Sequence, residues 1–290
     1  MDNEHKMINY LGENFLYPED ASVTNWEGDL LGGHIFALID MTAKIFGIKF
    51  DQTTFVDVGA NFGIISRLIL NMGENVGVRF GHIDAIECNP QICEILEKNL
   101  SYDLGNTEVT VINAGVSNST GTIDYKQPPM DSACGSYDMY GNMAESKNES
   151  QVAADDRVSI NKITLDSLYE KNNNFPVSLI KIDVEGFEYE VLAGARNLLA
   201  SCRPIVIYEC LPIRDHQLTH AQMWKATDPE NMAWSQQTAG LTAVLQRDPA
   251  TRFLVDNNYF VVPFPWTKCD VLAIPRELHD KLTTGHNGDV

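Results

Sequence analysis

Phe55-Val56-Asp57-Val58-Gly59-Ala60-Asn61-Phe62-Gly63 reads as a strand running into a glycine turn. Thr54–Val58 is short, apolar and rich in β-branched and aromatic residues, which predicts a buried strand. Helical periodicity follows over Ile64–Met72. A strand that ends in a tight turn and opens a helix presents unpaired N–H groups to an anion, such as the carboxylate of a bound amino acid. Gly59 and Gly63 can take positive φ or let a ligand approach the backbone. Asp57 can accept from an ammonium group or bind through water. The spacing is G-x-x-x-G, with Ala60 and Asn61 between, so the middle glycine of a dinucleotide fingerprint is missing. A cofactor without a pyrophosphate fits better. An ordinary glycine-bearing turn is the alternative at this point.

Outward from the turn, strands and helices alternate. His82–Glu87 predicts the second strand, and Pro90–Leu100 a helix with proline at its start. Glu108–Ala114 reads as the third strand and Ser178–Val184 as the fourth. Glu188–Leu199 reads as a helix and Pro204–Glu209 as the fifth strand. Tyr259–Phe264 and Asp270–Ile274, around Pro265-Trp266, read as an antiparallel pair at the sheet edge. The rhythm predicts a doubly wound α/β fold: a mostly parallel seven-stranded sheet with an antiparallel edge hairpin and helices on both faces. Residues 1–50 read as an N-terminal helical extension, with periodicity over Leu30–Phe46, and 51–290 as the main domain. Insertions 126–156 and 211–250 interrupt it. Segments longer than about 15 residues without periodicity are usually lids or binding loops. The tail TTGHNGDV reads as frayed.

Two groups of acids carry the chemistry. Glu87 stands at the tip of the second strand, in Ile86-Glu87-Cys88-Asn89-Pro90, where a carboxylate beside the glycine turn can accept both hydroxyls of a ribose. A first-turn helix acid is the competing role. Asp183 and Glu185 follow the fourth strand and Glu209 ends the fifth, near the switch point where open α/β sheets bind ligands. Three converging acids can orient an acceptor, act as a base, or hold a divalent cation. Their repulsion would raise at least one pKa. No metal is assigned. A capping role competes for Glu185, Glu188 and Glu190 read as solvated helix residues, and Lys181 as an ion-pair partner. His216 and His220, four apart, and Trp224 and Trp234 read as loop or packing residues that can also serve a substrate site.

Composition narrows the partners. The 290-residue chain is 44% hydrophobic, enough for a substantial core. Its 21 Lys and Arg against 40 Asp and Glu give a net charge of -19, a field that repels nucleic-acid phosphates. Cys88, Cys93, Cys134, Cys202, Cys210 and Cys269 form no C-x-x-C pair and read as reduced and structural. The N-terminus lacks a signal-peptide pattern, and no apolar run reaches the about 18 residues a membrane span needs. A cytoplasmic setting without a membrane partner is expected. Oligomeric state is open, a homodimer included.

In these segments the chain resembles the FkbM family of methyltransferases: Phe55–Gly63 (FVDVGANFG), Ile86–Pro90 (IECNP), Val111–Gly121 (VINAGVSNSTG), Ile163–Leu168 (ITLDSL), Leu179–Ala195 (LIKIDVEGFEYEVLAGA) and Pro204–Glu209 (PIVIYE). The resemblance implies a class I methyltransferase fold that uses S-adenosylmethionine, commonly for O-methylation of a small-molecule or glycan hydroxyl. By its pattern Asp57, Gly59, Ala60, Asn61 and Gly63 form the methionine-binding turn. Glu87 is the ribose acid, with Asn89 in the same segment. Asn113, Ala114 and Gly115 fall near the adenine, and Asp183 beside the sulfonium. The long segment after Ile213 departs from the pattern. An NAD- or FAD-dependent oxidoreductase and a non-catalytic S-adenosylmethionine-binding protein are the alternatives.

Overall fold

The computed structural model describes residues 5–10, 13–18, 35, 37–40, 49–76, 79–101, 107–126, 157–171, 176–210, 245–263 and 270–284. An antiparallel hairpin opens it, β1 (His5–Tyr10) with β2 (Glu13–Pro18). Then come β3 (Thr54–Val58), α1 (Ile64–Val76), β4 (His82–Glu87), α2 (Pro90–Asn99), β5 (Glu108–Asn113) and β6 (Gly115–Val116). β7 (Gly121–Lys126), β8 (Arg157–Ile163), α3 (Leu165–Lys171), β9 (Val177–Ile182), α4 (Glu188–Ala193), α5 (Arg196–Cys202) and β10 (Ile205–Glu209) follow. α6 (Pro249–Asp256), β11 (Tyr259–Pro263), β12 (Asp270–Pro275) and α7 (Arg276–Thr284) complete the order.

Seven strands form the central sheet in the order β11-β12-β10-β9-β3-β4-β5. β10, β9, β3, β4 and β5 run parallel, and β12 is antiparallel to both neighbours. The doubly wound sheet and its edge hairpin therefore stand as expected. From β3 the chain winds outward to β4 and β5 on one side, then to β9 and β10 on the other. The switch point lies between β3 and β9, at their carboxyl ends.

Strand alternation explains the two covered faces. Val56, Val58, Ile180, Ile182, Val206 and Tyr208 share one buried cluster with α4, α5 and α6. Phe55, Leu179, Ile205 and Ile207 share the opposite one with α1 and α2. Each fully buried side chain of this kind contributes about 1.5–3 kcal/mol. Continuing the second face by period two brings Asp57, Lys181 and Glu209 to neighbouring strand ends. The fold thus gathers charge at one edge of an apolar sheet.

Several expectations need correction. The N-terminal extension opens with a β-hairpin, not a helix. Helix is present at residues 37–40, and Leu38 and Ile39 join the second cluster. The helix expected over Glu188–Leu199 is two helices, α4 and α5. They part at Gly194, where a Cβ would lie 2.1 Å from the Ser117 carbonyl oxygen, so only glycine permits that backbone contact. The fourth strand stops at Ile182, which places Asp183 in a turn. A second sheet, β6-β8-β7, was not anticipated, and its antiparallel pair β7–β8 flanks the first insertion. Of the two insertions only Lys126 and residues 245–250 are described. Residues 127–156 and 211–244 lie outside, with His216, His220, Trp224 and Trp234, as do Pro265-Trp266 and residues 285–290 of the tail, whose first two threonines end α7. Among the described residues no helix is long and apolar enough to cross a membrane.

Candidate functional site

The turn after β3 is stitched to the end of β4. Gly59 and Ala60 both donate to the Ile86 carbonyl, each at 3.0 Å. Gly59, Asn61 and Gly63 hold φ of 76, 52 and 84°. A Cβ on Gly59 would sit 1.9 Å from the Asp183 carbonyl oxygen, so glycine here lets two backbones meet across the switch point. Glu87 points at the turn. Its Oε2 accepts from Asn61 N at 3.0 Å, and its Oε1 from Asn89 N at 2.8 Å. It is only 4% exposed. Burial raises its pKa above the ordinary range, and the Asn89 and Asn61 N–H groups pull it back. Oε1 also accepts from Cys88 Sγ at 3.5 Å, and Oε2 keeps a lone pair for a ligand hydroxyl.

Beside this acid lies a pocket of about 380 Å³, part of it open to solvent, lined by Gly59, Ile86, Ala114, Gly115, Ile160 and Phe187 among others. Ala114 and Gly115 thus come to the pocket wall. Asn113 does not line it: its amide donates to the Glu87 and Cys88 carbonyls at 2.9 and 3.1 Å, tying β5 to β4. Asn89 caps α2, accepting from Gln91 N and Ile92 N. Asp57 is 0% exposed beneath the turn. It accepts from Ser66 Oγ at 2.6 Å and faces Lys181 Nζ at 3.5 Å. Gly63 packs toward Leu96 of α2.

On the other side of Gly59 stand the acids. Ligand oxygens of Asp183, Glu185 and Glu209 lie within 4.8 Å of one another, a spacing at which three carboxylates can face one ligand or one divalent cation. Lys181 is the buried cation behind them. Its ammonium donates to the Gly59 carbonyl at 3.0 Å and lies 3.4 Å from Asp183. Burial alone would lower its pKa, but the Asp183 and Asp57 carboxylates outweigh that and hold it above the ordinary lysine range. The ion-pair role expected of Lys181 is the one it has.

Glu188 is different from its expectation. It is 6% exposed, not solvated, and its Oε1 accepts from Gly186 N at 3.1 Å and Val184 N at 3.3 Å. It therefore clasps the 183–186 turn from behind, where Glu185 holds a left-handed φ of 53°. Burial pushes its pKa up to about 7, the turn's N–H groups oppose this, and Asp183 adds to it. The sequence offered a sign: Glu188 falls at helical spacing from Val184, Val191 and Leu192 and so shares their core-facing side, while Tyr189 faces solvent.

A family described as Methyltransferase FkbM domain matches residues 57–230, more than half of the chain. The chain belongs to the FkbM methyltransferase family. The FkbM match spans the glycine turn, Glu87 and all three clustered acids. Hexuronic acid methyltransferase AglP of Haloferax volcanii is 26% identical over 146 residues, 48% of this chain and 54% of that protein. This chain therefore spans about half the length of the curated relative it matches. The FkbM methyltransferase structure from Methylobacillus flagellatus has a TM-score of 0.41 at 15% identity, covering 77% of this chain and 44% of that one. An O-methyltransferase from Bacillus cereus, solved with SAH, has a TM-score of 0.39 at 12% identity over 89% and 84%. The strand order makes this a Rossmann-like class I methyltransferase fold, and S-adenosylmethionine is the cofactor of this FkbM domain. The residues present fit it: a buried carboxylate whose Oε2 keeps a lone pair, a turn with glycine at both ends, and an apolar-lined pocket beside them.

Proposed function

We propose that this chain moves a methyl group from S-adenosylmethionine to a hydroxyl oxygen of a small-molecule or glycan acceptor. The carrying observation is the convergence of Asp183, Glu185 and Glu209 beside Val184, which lines the pocket. Bound there, the cofactor supplies an electrophilic methyl carbon on a sulfonium. The side chains align the acceptor and remove its proton. A hydroxyl donates to a carboxylate, so an acid cluster can orient a hydroxyl acceptor.

In this reading Gly59, Ala60 and Asn61 hold the methionine end, Glu87 the ribose, and Ala114 and Gly115 the adenine. Asp57, Gly63, Asn89 and Asn113 keep these in place. Asp183, Glu185 and Glu209 share the acceptor, and one of them takes the proton as the oxygen–methyl bond forms. The hexuronic acid methyltransferase among the relatives supports a sugar acceptor. Calorimetry with S-adenosylhomocysteine should give saturable binding. Incubation with S-adenosylmethionine and a panel of neutral glycans, uronate-bearing glycans and small alcohols should add one methylene mass to an oxygen. Absence of binding, or methylation of nitrogen alone, would remove the proposal.

A further inference from the structure

The N-terminal hairpin reaches the cofactor turn through one buried amide. Asn99, the last residue of α2, is 1% exposed. Its Oδ1 accepts from Leu16 N at 2.7 Å and its Nδ2 donates to Leu16 O at 3.1 Å, a two-way exchange with the backbone of β2. The same Nδ2 donates to the carbonyl of Phe62 at 2.8 Å. Phe62 sits inside the glycine turn, directly after Asn61, whose N–H is bonded to Glu87. The Phe62 ring packs against Tyr17 of β2, with centroids 4.6 Å apart, and both share a buried cluster with Ile95. Phe15 packs separately against Ile64 and Leu68 at the start of α1.

These contacts run without a gap from β2 through Asn99 and Phe62 to Asn61 and Glu87. The turn they reach has three residues at positive φ within five positions. Such a backbone keeps its shape only when its surroundings over-determine it. A ligand that meets a turn only partly in the binding shape loses affinity in proportion to the fraction that is competent.

We propose that the hairpin braces the S-adenosylmethionine turn, with Asn99 as the positioning residue that transmits the hold. This rests on the cofactor assignment above. Asn99→Asp keeps the acceptor for Leu16 N but removes both donors and sets a carboxylate against two carbonyls. Tyr17→Leu removes the ring against Phe62 and leaves Asn99 intact. Phe15→Ala removes packing on Ile64 and Leu68 of α1 and leaves the contacts of Asn99 and Tyr17 with Phe62 in place.

The test is calorimetric titration of S-adenosylhomocysteine into the full chain and these three variants, with each melting temperature measured beside it. Asn99→Asp should weaken binding by about tenfold and Tyr17→Leu by about threefold. Phe15→Ala should lower the melting temperature while leaving Kd within about twofold. If Asn99→Asp does not fold, Tyr17→Leu against Phe15→Ala decides. Equal Kd in wild type and in Asn99→Asp or Tyr17→Leu, at any loss of melting temperature, overturns the brace. No binding by the wild type would overturn the cofactor assignment and the brace together, a different result from binding that the variants leave unchanged.

Discussion

Glu185 and Arg203 share a backbone shape and have opposite surroundings. Both hold a left-handed φ, 53° and 52°, which disfavours any residue with a Cβ by about 1–2 kcal/mol. Around Arg203 every described contact is complementary. Its guanidinium meets Glu277 at 2.8 and 3.1 Å, the Asn257 carbonyl at 3.0 Å and the Asn258 carbonyl at 2.9 Å. It also lies 4.5 Å over the Tyr259 ring. Around Glu185 the carboxylates of Asp183 and Glu209 crowd in, and Glu188 holds the turn from behind. Matched strain at Arg203 anchors α5 to the edge hairpin. Strain that gathers like charges at Glu185 is the feature on which the proposed acceptor site rests.

The largest expected effect tests that contrast directly. Asp183→Asn should lower the methyl-transfer rate by about 100-fold or more, with S-adenosylhomocysteine Kd within about threefold. Rates by mass spectrometry and Kd by calorimetry check it, and an unchanged rate would erase the distinction between the two corners. Next comes Glu188→Gln. The folded pKa of about 7 exceeds the ordinary 4.5, so between these values the folded chain keeps a proton that the unfolded chain releases. Stability therefore falls as pH rises through that window, by at most about 3 kcal/mol. Glutamine keeps the acceptor and removes the charge, so thermal melts should flatten between pH 5 and 7 and rise at pH 8 relative to wild type.

Arg203→Ala should cost about 1–2 kcal/mol in urea unfolding, from carbonyls left without a donor and lost packing on Tyr259, with cofactor affinity unchanged. Arg203→Gly should recover part of this by relieving φ, which would sharpen the separation between backbone and side-chain contributions. Smallest is Glu277→Gln. That pair is half exposed at Glu277, and a change of a few tenths of a kcal/mol is expected.

The sheet was legible because its strands are short apolar runs closed by turn residues, and because each of the five parallel strands is followed or preceded by a recognisable helix. Glu87 was legible for the same reason, standing at a strand tip before a proline-led helix. β7 and β8 were not read, although Ile123 with Tyr125 and Val158 with Ile160 alternate at period two. A polar stretch between them masked the pairing, since strand partners are non-local and helix signals are local. The hairpin β1–β2 was missed because half of its residues are polar, and Phe15 and Tyr17 bury themselves against helices far away in sequence. Glu188 was misread because its charge suggested solvent although its helical spacing sets it with Val191 and Leu192, and the backbone N–H groups that receive it become visible only in three dimensions. Asp57 showed its type but not its position beneath the turn.

β12 arrives late in the chain yet lies inside the sheet, between β10 and β11. During synthesis β10 therefore waits with one edge bare until residues 270–275 have left the ribosome. A chain cut short of them would carry an apolar strand with one unpaired edge, Ile205–Glu209, beside its acid cluster, and such edges recruit one another into aggregates. Residues 270–275 thus cover the edge of β10 that β9 leaves bare.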